Sequence, residues 1–99
     1  NKEYITEIIR EKLLECIHHE IPYQLTINVD SLKEKKNNII VKITIFLNKP
    51  SHKPIILGKK GQTIKKIGVA SRNELEKIFN KKYHLYLFLK LNKNLKDKS

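Results

Sequence analysis

The chain has 99 residues and a formal net charge of +11, from 21 Lys and Arg against 10 Asp and Glu. That is the size of one compact domain, so a fold needing two separate cores is excluded. A single Cys excludes an internal disulfide, and no run approaches the ~20 apolar residues of a membrane span.

A positive surplus this large on a small domain calls for an anionic partner, most often nucleic acid and less often an acidic membrane. The rival explanation is an AT-rich genome, because the chain is rich in Lys, Asn and Ile. The distribution separates the two. Residues 1–34 carry a balance of −3, residues 35–73 one of +10 without any Asp or Glu, and residues 74–99 one of +4. Compositional bias does not empty so long a stretch of carboxylates, so a functional basic face is expected. The chain begins at Asn1 rather than Met and ends in a polar run, as expected of a piece of a longer protein. No signal-peptide pattern is present.

Ile5, Ile8, Ile9, Leu13, Cys16 and Ile17 recur at spacings of three and four. This predicts an amphipathic helix over residues 3–19, with Glu3, Glu7, Glu11 and Glu15 on its other side. Ile21-Pro22 is expected to end it, because a residue before proline avoids helical geometry. Residues 23–32 alternate, Leu25, Ile27 and Val29 facing one way, which predicts a half-buried strand. After a polar connection from Lys33 to Asn38, residues 39–47 predict a second strand with Val41, Ile43, Ile45 and Leu47 on one face, completing a hairpin.

A loop containing Pro50 leads to a short helix over residues 52–57, which Gly58 to Gly61 breaks. A further helix follows to about Phe79, with Ile64, Ile67, Leu75, Ile78 and Phe79 as its core stripe. Gly68 is expected to interrupt it, on the buried side, where close packing against the sheet would favour glycine. Residues 83–91 predict a third strand with Leu85, Leu87, Leu89 and Leu91 inward and His84, Tyr86, Phe88 and Lys90 outward. Residues 92–99 read as a polar, frayed tail. The order is α-β-β-α-α-β: an α+β fold, one three-stranded sheet with helices packed on one face.

Gly58-Lys59-Lys60-Gly61 is the segment that carries chemistry. A turn between consecutive helices needs residues that tolerate unusual dihedrals, and glycine supplies them while letting a ligand backbone approach closely. The loop opens a helix whose first N–H groups lack internal partners, and such a start attracts phosphate. Lys59 and Lys60 add two cations there, Lys65 lies one turn on, and Lys53 precedes. The four residues alone read more readily as a helix–helix turn with solvated lysines. The acid-free context favours the ligand-binding reading.

With its flanks, Ile55-Ile56-Leu57 and Gln62-Thr63-Ile64-Lys65-Lys66-Ile67-Gly68, the loop resembles the KH signature I-G-x-x-G-x-x-I-x-x-I, with Leu57 where Ile is commoner. In KH domains that loop clamps the backbone of about four single-stranded nucleotides. The resemblance implies a base-reading groove lined by the two helices and the second strand, with Ile43, Thr44, Ile56 and Ile64 as groove or under-groove candidates. For Ile43 and Ile64 plain core is the favoured reading. A helix and strand pair before the signature is the type II KH order. Glu7-Ile8-Ile9-Arg10-Glu11-Lys12, Glu20-Ile21-Pro22-Tyr23, Ile67-Gly68, Ala70, Arg72, Glu76 and the strand Tyr83 to Leu91 resemble the KH domain that follows the GTPase domain in Era-type proteins. The likeness covers about residues 6–91, within one domain of residues 1–99. It implies binding to the unpaired 3′ end of small-subunit ribosomal RNA, a role in assembling that subunit, and a GTPase domain in the same parent chain. The implied compartment is the bacterial cytoplasm or an organelle matrix, plastid or mitochondrial, with peripheral membrane association left open. Leu95 stands where the family usually has Trp after the last strand.

Other chemistry is not expected. Gly58 to Thr63 lacks the spacing of a nucleotide-binding G-x-x-x-x-G-K-[ST] loop, so this piece should hydrolyse no nucleotide and carry no cofactor. His18 and His19 diverge by roughly 100° on a helix and cannot share a metal from one face. Cys16, on the apolar stripe, reads as a small hydrophobe rather than a nucleophile. Tyr86 and Phe88 are candidates for base stacking, but a contact with a neighbouring domain or simple strand propensity is favoured. Two rivals remain: a KH domain of another ribosome-associated protein, and a basic protein-interaction domain.

Overall fold

The computed structural model describes residues 2–17 and 20–92. His18, His19 and residues 93–99, with Leu95 and nearly all of the expected tail, lie outside the described residues. Helix α1 spans Lys2–Cys16 and buries Ile5, Ile8, Ile9 and Leu13, the stripe its spacing dictates. Its end comes before the proline. Ile21 itself adopts helical angles (φ −69°, ψ −46°) and leads into a single 3-10 turn, Pro22–Gln24. Arg10 on α1 overrides the usual pre-proline preference. Its guanidinium donates to the carbonyls of Pro22 (2.6 Å) and Leu25 (3.1 Å) and holds the turn beneath the helix.

That turn displaces the first strand. β1 runs Thr26–Lys35 and β2 Asn38–Leu47, antiparallel. The connection is only Lys36-Asn37, with Lys36 in the left-handed region (φ 54°). Asp30 shares with Asn28 the face away from the helices, and a bulge between Val29 and Ser31 then turns the later half of β1 over, so Ser31 faces outward opposite Lys42 and Leu32 inward opposite Val41. β3, Lys82–Leu91, pairs in parallel with β2, giving the order β1-β2-β3 with β3 at an edge.

α2 (His52–Leu57) and α3 (Gln62–Phe79) follow β2, and α3 packs against both α1 and β3. The core sits between these helices and the inward side chains Ile27, Val29, Val41, Ile43, Ile45 and Leu47. Across the helical layer Lys12 donates to Glu74 at 2.6 Å. This hydrogen bond holds the Lys12 ammonium above its usual pKa, against the opposing effect of burial.

The α3 stripe differs from expectation in two places. Ile67 and Leu75 are fully buried, but Ile78 and Phe79, in the last turn of α3, are 45% and 37% exposed. Ser71 takes the central buried position instead. Phe79 packs edge-on against Tyr4 at 5.5 Å and lies 6.2 Å from Tyr83. Gly68 does not interrupt α3, which is continuous through it. A Cβ there would lie 3.6 Å from Leu87 Cδ1, an ordinary contact, so the sheet is close but does not demand glycine.

Candidate nucleic-acid interface

The loop between α2 and α3 is built by backbone angles few residues tolerate. Gly58 ends α2 by moving to φ 73°, ψ 178°, a region open essentially to glycine alone, while its N–H makes the last bond back to Pro54 O (2.9 Å). Lys59–Gly61 then form one 3-10 turn, closed by Gly61 N–H donating to Gly58 O at 3.1 Å. Lys60 (φ 55°, ψ 29°) and Gly61 (φ 73°, ψ 15°) are both left-handed. The two helices are therefore separate, and Lys59 and Lys60 stand exposed at the corner.

The two glycines do different things. A Cβ on Gly58 would fall 2.1 Å from Thr63 Oγ1 and 2.9 Å from Thr63 N, so the close approach there is the chain's own. A Cβ on Gly61 would meet no atom within 4 Å. Gly61 therefore leaves open space on the outside of the loop, beside the start of α3. No side chain caps that start. At that start Gln62 N–H already donates to Lys59 O, while the helix dipole and the two exposed ammonium groups would suit a phosphate.

Beside the loop a cleft of about 370 Å³ runs between α3 and β3. Ile64, Lys65, Gly68, Val69 and Arg72 line it from the helix, and Tyr83 to Leu87 from the strand. Gly68 keeps its floor low. Lys65 and Arg72 are exposed and one heptad apart, which puts both cations on the same flank. Burial raises the Tyr83 phenol pKa.

Of the residues expected to form the site, Gly58, Lys59, Lys60 and Gly61 share the loop and Lys65 flanks the cleft. Lys53 is exposed on α2 but does not line the cleft. Two placements correct the expectation. Ile56 is 0% exposed and belongs to the core beneath the loop. Thr44 is 4% exposed and faces the other side of the sheet, where its hydroxyl donates to Asp30 Oδ2. This bond, then that from Asn28, lowers the Asp30 carboxyl pKa. The expected wall also changes. β2 lies mid-sheet, with Ile43 fully buried, so edge strand β3 lines the cleft in its place. Ile64, favoured as core, is half-buried and lines the cleft. Arg72, Val69 and His84, which also line the cleft, were not among the expected site residues, and Tyr86 was weighed only as a stacking candidate. The seven-residue spacing of Lys65 and Arg72 in the acid-free stretch was the available signal. Among the described residues no group of three His, Cys, Asp or Glu is placed to hold a metal. Cys16 is half-buried against the core.

The family model described as KH domain matches residues 20–95. The chain belongs to the KH domain family. This KH domain is 50% identical over 97 residues to GTPase Era of Ehrlichia canis (strain Jake), covering 97% of the chain and 33% of that protein. GTPase Era of Borreliella burgdorferi (strain ZS7) is 44% identical over 90 residues, 91% of the chain and 31% of the relative. Among solved structures, Aquifex aeolicus Era bound to GDP and AlF4− matches with a TM-score of 0.84 at 34% identity, over 90% of this chain and 31% of that one. Era in complex with MgGDPNP and nucleotides 1506–1542 of 16S ribosomal RNA matches with a TM-score of 0.83 at 34% identity, over 89% and 30%. The KH domain thus spans about a third of the length of these relatives, in their C-terminal part. The α+β, type II KH architecture is the one these structures share.

Proposed function

We propose that this KH domain, taken as one domain over residues 1–99, holds single-stranded RNA, the loop seating the backbone and the cleft taking the bases. The observation that carries this reading is the exposed loop at the uncapped start of α3, with open space at Gly61, leading directly into the cleft. A phosphate approaching Gly61 meets the ammonium groups of Lys59 and Lys60 without displacing protein atoms. Lys65 and Arg72 continue the positive flank along the strand. On the other wall, edge strand β3 has backbone N–H and C=O groups not used by β2, which suit the hydrogen-bonding edges of bases. A duplex does not fit this arrangement, because its bases are already paired and stacked.

The parent is proposed to be an Era-like GTPase, its nucleotide chemistry lying outside this chain. The RNA is proposed to be the 3′ end of small-subunit ribosomal RNA, engaged during assembly of the small subunit. Support comes from the similarity to Era bound to 16S ribosomal RNA nucleotides. The bacterial relatives favour the bacterial cytoplasm over an organelle matrix as the compartment.

The test is charge reversal at the seat. Lys59→Asp with Lys60→Asp should abolish binding of single-stranded RNA while the far-ultraviolet circular dichroism stays that of the folded domain. Filter binding of single-stranded RNA, duplex RNA and an acidic polymer should rank the single strand first. Binding unchanged by the double reversal, or no preference for the single strand, contradicts the reading.

A further inference from the structure

The face of the sheet turned away from the helices is not accounted for by the loop and cleft. Phe46 from β2 and Tyr86 and Phe88 from β3 lie on it, and Tyr86 and Phe88 are 51% and 48% exposed. Exposed lysines surround them: Lys33 on β1, Lys42 on β2, and Lys82 and Lys90 on β3. Among the described residues the one carboxylate on this face is Asp30, already engaged by Thr44 and Asn28. The glutamates of α1 lie in the opposite layer, against which the sheet packs.

We infer that this open face is a second contact for the same RNA strand, Tyr86 and Phe88 stacking bases while Lys42 and Lys90 meet phosphates. Three observations carry it. First, the charge is one-sided: a protein docking on these rings would cover lysines that need anionic partners, whereas a polynucleotide supplies one phosphate per base. Second, the rings are two residues apart on one strand, hence roughly 6.6 Å along it, with the same facing. That spacing presents two π-faces in succession to an extended single strand, the device by which sheet-borne aromatics hold bases. Third, the two surfaces are continuous. Tyr86 stands on the open face and also lines the cleft, so a strand leaving the cleft crosses the β3 edge onto these rings.

The inference rests on the RNA reading of the loop, and its test separates the two. Fluorescence anisotropy would compare a tetranucleotide, long enough only for loop and cleft, with a single strand of about 12 nucleotides. The long strand should bind more tightly. Phe88→Ala should weaken the long strand about fivefold or more and leave the tetranucleotide unchanged, because base–aromatic stacking contributes at least that factor. Phe88→Tyr, which keeps a stacking ring, should retain long-strand affinity, and Lys42→Glu should weaken the long strand and flatten its salt dependence. Equal affinity of the two lengths, or an equal effect of Phe88→Ala on both, overturns the inference and leaves the loop reading standing. Intact RNA affinity with weakened association to a neighbouring protein domain assigns the face to that domain and also overturns it. Failure of wild type to bind either oligonucleotide removes the loop reading and this inference with it.

Discussion

Replacing each loop glycine by alanine separates folding from binding. At Gly58 the added methyl must enter an essentially glycine-only backbone region and lie 2.1 Å from Thr63 Oγ1, 2.6 Å from Thr63 Cβ and 2.9 Å from Thr63 N. Backbone strain and overpacking of this kind together cost about 3 kcal/mol or more. On a domain of this size that lowers Tm by about 12 °C or more. At Gly61 the methyl meets nothing within 4 Å, so only the left-handed backbone resists it, at about 1 kcal/mol. The corresponding fall in Tm is about 4–8 °C. The same methyl stands where the RNA backbone is proposed to lie, and overpacking there should weaken binding about tenfold. Thermal melts by circular dichroism and anisotropy titrations with single-stranded RNA measure both quantities. Thr63→Ala should not rescue Gly58→Ala, since Thr63 Cβ and N remain in place. An equal fall in Tm at the two positions, or wild-type affinity in Gly61→Ala, would refute the division of roles.

Lys60 holds left-handed angles, so Lys60→Gly should leave Tm unchanged or raise it, by under about 1 kcal/mol of stability, while weakening RNA binding. The log–log salt slope should become shallower by ~0.7, because the variant neutralises one phosphate fewer. Gly68→Ala should stabilise the domain by up to about 1 kcal/mol in a thermal melt, because helix interiors favour alanine and the methyl packs at ordinary van der Waals distance from Leu87. Glu74→Gln removes the main partner of Lys12, whose pKa is raised in the folded state. That raised pKa contributes stability fully present below 10.5 and lost as pH rises through the folded value. The variant should therefore melt below wild type at neutral pH, with the gap closing in strongly alkaline solution.

Much of the fold was legible because local signals agreed with tertiary demands. The 3.6-residue stripe of α1, the alternation of β2 and the glycines around Lys59-Lys60 each dictate one local structure, and the domain uses it. The differences arise where distant groups decide. Arg10 reaches across to carbonyls beyond the proline, so α1 and the start of β1 are bounded by a turn that no residue pattern announces. The hairpin turn contains Lys36 at positive φ, where asparagine or glycine is the usual marker, so the strand ends were hidden. Periodicity assigns Ile78 and Phe79 to the buried face of α3 but does not say where along the helix burial ends. The loop of the candidate site was readable only with its flanks and its acid-free surroundings, because the four residues alone fit a plain helix–helix turn. The cleft was not, because its wall depends on β3 crossing to pair in parallel with β2, a choice of topology that leaves no local trace. Thr44 and Ile56 were drawn into the expected groove for the same reason.

Amide chemical-shift mapping during titration with single-stranded RNA tests the central claim most directly. The account predicts the largest shifts at Gly58 to Gly61, with a second set along Ile64, Lys65, Val69 and Arg72 and the facing residues of β3. Shifts confined to α1, with the glycine loop undisturbed at saturating RNA, would contradict it.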